Sequence, residues 1–285
     1  MMFRIFLLFL ALAPFSSQLQ ADVWNNVASY FKGQTRSESP KIRILILHNV
    51  EGAHLEVRGR YTLHDPYTNS HISSRFAGKS RHIQAFGDGL KWGESFPGLY
   101  QLKIEPADSR MEVTIDGRHY EGSVYIYDIG GTISIVNQIP VENYVESLLA
   151  AYQGEELEPE TLAALAIAAR TNAYFQSVNP KNSYWAVDGQ KVDFQGVVFL
   201  DSAIQQAIQQ TRYMIMSKTS VYEKVATPFP AQFSLQAGGQ GAKDMEVSNI
   251  TLEEANAMAK EGAHAAQILA KAFPGSTIML MRYQR

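Results

Sequence analysis

Between Val136 and Phe175 the chain reads VNQIPVENYVESLLAAYQGEELEPETLAALAIAARTNAYF, and no other stretch restricts its fold as much. The segment opens β-like and passes into two alanine-rich helices ending on Ala168-Ala169-Arg170-Thr171. Pro159 stands where a first helical turn tolerates a residue without an N–H. Leu162, Leu165, Ala166, Ala169 and Ala173 then fall on one stripe at helical spacing, which predicts a buried face whose small alanines admit a close neighbour.

The rest of the chain supplies strands to surround that helix. Ile42, Ile44 and Ile46 alternate with Arg43, Leu45 and Leu47, and Leu55-Glu56-Val57-Arg58 repeats the pattern. Short runs rich in β-branched and aromatic residues recur at 99–104, 111–115 and 124–127 with glycine or asparagine turns between them, which predicts antiparallel pairing. Later segments read as a helix over 203–210, a strand at 214–216, a capping box at Thr251–Glu254 opening a helix, a further helix up to Phe273, and a last strand at 277–281. The expected class is α+β, an antiparallel β framework with inserted helices.

At 285 residues and 46% hydrophobic content the chain can bury a sizeable core. Arg4, the apolar run Ile5 to Phe15 and a polar stretch ending at Ala21 have the layout of a secretory signal peptide, too short for a bilayer span. Residues 1–21 are therefore expected to be a signal, 22–40 a polar spacer and 41–285 the domain, with 41–120 its β-rich part and 121–285 its helical core. Export places the protein in the periplasm or on the outer face of a bacterial membrane. Cysteine is absent, which excludes disulfides, a thiolate nucleophile and an N-terminal lipid anchor on cysteine. A net charge of −3 without basic runs argues against nucleic acid or anionic lipid as a partner.

Most site chemistries fail on spacing. The seven histidines include no HExxH pair, and His64 and His71 flank an Asp65-Pro66-Tyr67 turn that accounts for them without a metal. Residues 238–241 are glycine-rich but lack the lysine and hydroxyl of a phosphate loop. Trp92, Tyr174, Tyr184 and Trp185 are aromatic candidates for stacking on sugar rings, with Trp185 in the 182–185 loop the one expected to be exposed.

Taken in order, Val136-Asn137, then Val141-Glu142-Asn143-Tyr144-Val145, then Glu160 to Ala173 resemble the core of the stage II sporulation protein D (SpoIID) and LytB amidase-enhancer family. In that family a block close to VN-x-[VIL]-x-[VIL]-E-[DN]-Y-L-x-G-V-V-x-x-E-M-P precedes a helix close to EALKAQAVAARTYA. Asp193-Phe194-Gln195-Gly196 stands where the family has QVYxG, and Glu253 to Gly275 follows its closing segment more loosely. The resemblance implies an exported envelope factor that binds peptidoglycan glycan strands and cooperates with a cell-wall amidase. It carries glycan contact onto Glu142, Tyr144, Arg170, Thr171 and Phe194, to which Trp185 is added as a stacking ring. An arginine at a helix end is equally a structural residue.

The sporulation branch of the family is a lytic transglycosylase. One carboxyl group protonates the glycosidic oxygen and then deprotonates the sugar's own hydroxyl. Its glutamate is the first residue of EMP. Counting eight residues from Tyr144 and eighteen back from Arg170 reaches the same place, and the chain has Tyr152-Gln153-Gly154 there. A phenol with an ordinary pKa near 10 is a poor acid at neutrality. The resemblance therefore implies a degenerate enzyme. Glu155 and Glu156 are the substitutes a shifted loop would offer, or else solvated acids ahead of a helix N-terminus. Some relatives hold zinc through cysteine and histidine; this chain has no cysteine, and His264 is its only histidine beyond His119, so neither metal nor cofactor is expected. Two alternatives remain: an active transglycosylase using Glu155 or Glu156, and an envelope module whose partner is a protein.

Overall fold

The period-two segments become two large antiparallel sheets, and the alanine-rich segment becomes a helix enclosed on nearly every side. The computed structural model describes residues 40–281 apart from 77–79, 109–110, 181, 220–225 and 235–244. The signal-like segment, nearly all of the spacer and the glycine-rich residues 238–241 lie outside the described residues.

In chain order the first strands are β1 (Lys41–Val50), β2 (Gly52–Val57), β3 (Tyr61–His64), β4 (His71–Arg75), β5 (Arg81–Phe86) and β6 (Gly89–Trp92). Next come β7 (Glu94–Pro97), β8 (Gln101–Pro106), β9 (Val113–Ile115), β10 (Arg118–Tyr120), β11 (Ser123–Ile129) and β12 (Thr132–Pro140). Helices α1 (Val141–Leu149) and α2 (Pro159–Val178) follow, then β13 (Val187–Asp188), α3 (Ser202–Gln210), β14 (Met214–Thr219) and β15 (Ala226–Thr227). The chain continues through β16 (Ala231–Ser234), β17 (Glu246–Thr251), α4 (Leu252–Lys260), α5 (Ala265–Ala272) and β18 (Ser276–Leu280). The architecture is α+β, as the sequence predicts.

The larger sheet has the order β13-β1-β12-β11-β8-β3-β4. Its strands are antiparallel except β13, which lies parallel to β1. Register decides which side chains share a face, because side chains alternate along a strand. Ile44, Asn137, Val124 and Ile104 form one cross-strand row, and Ile135, Ile126 and Leu102 the next, all fully buried. On the opposite face Leu45, Val136, Tyr125 and Tyr127 form a smaller cluster against which Trp185 packs. The second sheet, β10-β9-β2-β5-β6-β7, buries Leu55, Val57, Ile83, Leu90 and Val113, with the Trp92 indole N–H donating to the Leu55 carbonyl at 3.3 Å.

Helix α2 departs from the single-stripe expectation. Every residue from Thr161 to Ala168 is buried, and Ala169, placed on the stripe, is only half-buried. The reason is that α1, α3, α4, α5, β14 and β16 all pack on α2, so the stretch from Thr161 to Ala168 turns no side to water. Alanine makes this possible, since its short side chain lets backbones approach from several directions at little entropic cost. Leu165, Ile167, Ile268, Leu269, Phe273 and Met216 share one core with those alanines. The capping box at α4 is as expected: Thr251 Oγ1 accepts from Glu254 N–H at 3.1 Å and Glu254 Oε2 from Thr251 N–H at 2.8 Å.

Candidate functional site

Pro140 ends β12 and launches α1, so the Glu142 side chain leaves the first turn of that helix toward α2. Arg170 meets it from α2. Its Nε donates to Glu142 Oε1 at 2.9 Å and its Nη2 to Oε2 at 2.9 Å, a bidentate pair with the arginine 0% exposed and the glutamate 7%. The remaining guanidinium protons reach the carbonyls of Thr211 (3.0 Å), Met214 (3.2 Å) and Ile208 (3.4 Å). One side chain thus ties α1 and α2 to the end of α3 and the start of β14. Next to it, Thr171 Oγ1 donates to Ile167 O at 2.7 Å and accepts the Met216 N–H at 2.8 Å.

The other expected contact residues are also interior. Tyr144 is buried against Phe194, with ring centroids 6.2 Å apart, and burial raises its phenol well above the ordinary value. Phe194 is buried in turn, with Tyr120 on its other side. Gly196 follows at φ +79°, where an added Cβ would stand 2.3 Å from the His119 carbonyl oxygen. Only glycine fits there, which explains the last position of the Asp193–Gly196 segment. Glu142, Tyr144, Arg170, Thr171 and Phe194, on which the resemblance puts glycan contact, are all interior here and hold the helices and strands to one another.

Tyr152 closes a short 3₁₀ turn, Ala150–Tyr152, that ends α1. Its ring is half-buried against the α2 core, and burial, reinforced by the negative charge of Glu155, pushes its phenol up. The chain then turns through Gly154, at φ +85°, to Glu155 and Glu156, both exposed. Asn256 of α4 pins this loop. Its Nδ2 donates to Glu156 O at 2.9 Å, and its Oδ1 accepts from Glu158 N–H (2.8 Å) and Thr161 Oγ1 (3.1 Å). Moving either glutamate into a cleft would break that set.

A narrow cavity beside α1 is lined by Glu121, Asn137, Asn143, Glu146 and Phe194. Asn143 Nδ2 donates to Glu121 Oε2 at 2.9 Å, and Asn137 Nδ2 to the carbonyls of Glu121 (2.8 Å) and Ser123 (3.2 Å). The Glu146 carboxyl is raised from its ordinary value, first by burial and then by the charges of Glu121 and Glu142. Sequence reasoning passed over Glu146; its spacing of four residues from Glu142 on a helix was the available signal.

Of the proposed stacking rings, Trp92 and Tyr174 are core residues. Trp185, expected to be exposed, is half-buried beside His48, at 5.4 Å between ring centroids, while its neighbour Tyr184 is the exposed one. The order inverts because Asn182 accepts both Tyr184 N–H (2.8 Å) and Trp185 N–H (2.9 Å), folding the loop so that Trp185 covers the sheet. His64 and His71 face each other across the β3–β4 hairpin, whose turn is closed by Asp65. Among the described residues no three His, Asp or Glu side chains converge as a metal site would require, and no helix is long and apolar enough to cross a membrane.

These features define a class: an α+β scaffold whose helix–strand junction is locked by an interior Glu–Arg pair. The profile of the stage II sporulation protein (SpoIID) family matches residues 130–217, which hold β12, α1, α2 and the Arg170 contacts. An uncharacterized protein of Chlamydia pneumoniae is 30% identical over 195 residues, 67% of this chain and 71% of its own. One from Chlamydia muridarum is 27% identical over 252 residues, 87% of this chain and 80% of its own. A third, from Brachyspira hyodysenteriae, is 27% identical over 182 residues, 62% of this chain and 48% of its own. The chain belongs to the SpoIID family as a divergent member, and that family works in peptidoglycan processes of the cell wall and sporulation.

Proposed function

We propose that this chain is an exported envelope protein that recognises peptidoglycan glycan strands during cell-wall remodelling, stimulating an amidase, with the family's own cleavage reaction lost. Membership of the family supports the glycan reading, and the loss of cleavage is supported by Tyr152, a half-buried phenol with a raised pKa, where the motif spacing counts to the family's acid. A group that holds its proton more tightly than ordinary tyrosine cannot give and retake it near neutrality. The exposed Glu155 and Glu156, with their loop pinned by Asn256, supply no enclosed acid in its place.

The test incubates the protein with peptidoglycan stripped of stem peptides, assaying the pellet for protein and the supernatant by mass spectrometry for anhydro-sugar ends. Co-pelleting without anhydro products is expected. Anhydro products that vanish when Glu155 and Glu156 are both changed to Gln would make the chain a transglycosylase. Failure to pellet with any glycan would instead favour a protein-binding envelope module.

A further inference from the structure

Four tyrosines gather at the end of the large sheet remote from α1, around a groove of about 350 Å³ that also has Asp65 and Asp128 in its wall. Tyr67 is 85% exposed, Tyr100 52% and Tyr184 40%. Tyr127 forms the floor, with Tyr184 edge-on to it at 4.7 Å between ring centroids. Large aromatic rings left this exposed and this close together are unusual on a soluble surface.

Each exposed ring stands on a fixed mount. Asp65 accepts Tyr67 N–H at 2.9 Å and Thr68 Oγ1 at 2.7 Å, closing the β3–β4 turn. Asn182 holds the backbone of Tyr184, and the Tyr100 carbonyl accepts the Asp128 N–H at 2.7 Å, extending the sheet to it. Asp128 Oδ1 accepts from Gly131 N–H at 2.9 Å, fixing the β11–β12 turn alongside. A surface organised before binding loses little entropy when a ligand arrives.

The lining chemistry selects the ligand. Tyrosine rings offer flat apolar faces with a polar tip, a match for the C–H faces of a pyranose. Carboxylates only accept hydrogen bonds, so they call for hydroxyl or amide N–H groups on the ligand. Among the residues that line the groove the charged ones are the two carboxylates, which disfavour an anion, while Arg43 stands behind the wall, its guanidinium donating to the Ser183 carbonyl at 3.5 Å and lying over the Tyr125 ring. The Tyr127 phenol, pushed up to about 12 chiefly by burial, keeps its proton for donation throughout the physiological range.

We infer that this groove is a binding subsite for a neutral, N-acetylated saccharide segment, stacked between Tyr67, Tyr100 and Tyr184 over Tyr127. The inference rests on the glycan-recognition reading and locates it. Tyr152 lies in a different packing cluster, and its loop enters α2 while the Tyr184 loop leaves it, about 30 Å further along the axis of this 20-residue helix.

The experiment titrates the protein with a soluble β-linked N-acetylglucosamine oligomer, followed by isothermal titration calorimetry, and measures peptidoglycan pelleting in parallel. Changing Tyr67 and Tyr184 together to Ala should weaken both by about tenfold. Phe199→Ala, at a ring 91% exposed outside the groove, should change neither. Far-ultraviolet circular dichroism reports folding, and Tyr67→Ala alone, on an exposed turn, gives the same direction if the double variant is impaired. Wild-type binding that survives the double change would remove the subsite and leave glycan recognition standing. If the wild type binds neither ligand, the functional reading falls and the groove with it. Groove-dependent capture of a proline-rich peptide but not of the oligomer would overturn the saccharide assignment.

Discussion

The junction around Arg170 and the tyrosine groove are opposites in construction. At the junction, polar groups are buried and paired; in the groove, three tyrosine rings stand exposed over a fourth that is buried. The residues that make the chain resemble its family belong to the first, and the residues available to a ligand belong to the second. A family pattern can therefore persist because a scaffold needs it, while the chemistry at the surface changes.

Substitutions can break this contrast. The largest effect is expected at Arg170→Met, which leaves Glu142 buried without its partner and should cost about 3–5 kcal/mol in urea denaturation. Adding Glu142→Leu should recover much of that loss, because an apolar pair does not carry the desolvation penalty. This double variant should bind glycan as the wild type does; stability restored with binding lost would put the junction in the site after all. Gly196→Ala comes next, at about 1–3 kcal/mol, from its left-handed backbone and the His119 carbonyl in its path.

Glu146→Gln sharpens the contrast from the electrostatic side. The folded carboxyl titrates above its ordinary value, so the native state binds the proton more tightly than the unfolded chain does. Stability then falls as pH rises from the ordinary carboxylate range through the raised value and stays lowered above it. The glutamine variant should be more stable at pH 7 by less than about 1 kcal/mol, since solvent screens this partly exposed group, and equal to the wild type near pH 3. A gain that persists at low pH would show that the effect is not charge. Smallest in stability is the tyrosine double change, under about 0.5 kcal/mol because Tyr67 and Tyr184 are exposed, although its effect on binding is the one that matters.

Much of the scaffold was legible in the sequence. Period-two alternation located β1 and β11, and helix signals located α2 and the capped start of α4, because these patterns report local geometry directly. The enclosure of α2 was not legible: alanine is compatible with a face or with an interior, and only the elements folding back from beyond residue 200 decide between them. For the site, counting from Tyr144 and Arg170 leads to Tyr152, which the structure puts at the end of the turn after α1, half-buried against the α2 core. The burial of Glu142 and Arg170 was open because a helix-end arginine serves either role. Tyr67, Tyr100 and Tyr127 gave no joint signal, being scattered over three turns or strands that meet only through the register of β3, β8 and β11. The 182–185 loop points to an exposed ring without saying which, and the Asn182 turn exposes Tyr184 rather than Trp185.

The position of β1 has a consequence for the order of folding. Ile44 pairs with Asn137 on one side, and the adjacent short strand β13 brings Val187 against Ile44 on the other. The first strand among the described residues is thus an interior strand whose two neighbours both come much later in the chain. Closing such long loops is entropically slow, so the sheet cannot be completed until the whole of α2 has been formed and crossed. Until then β1 can pair with β12 alone, and a truncated chain ending before Val187 would leave its other side as an open edge.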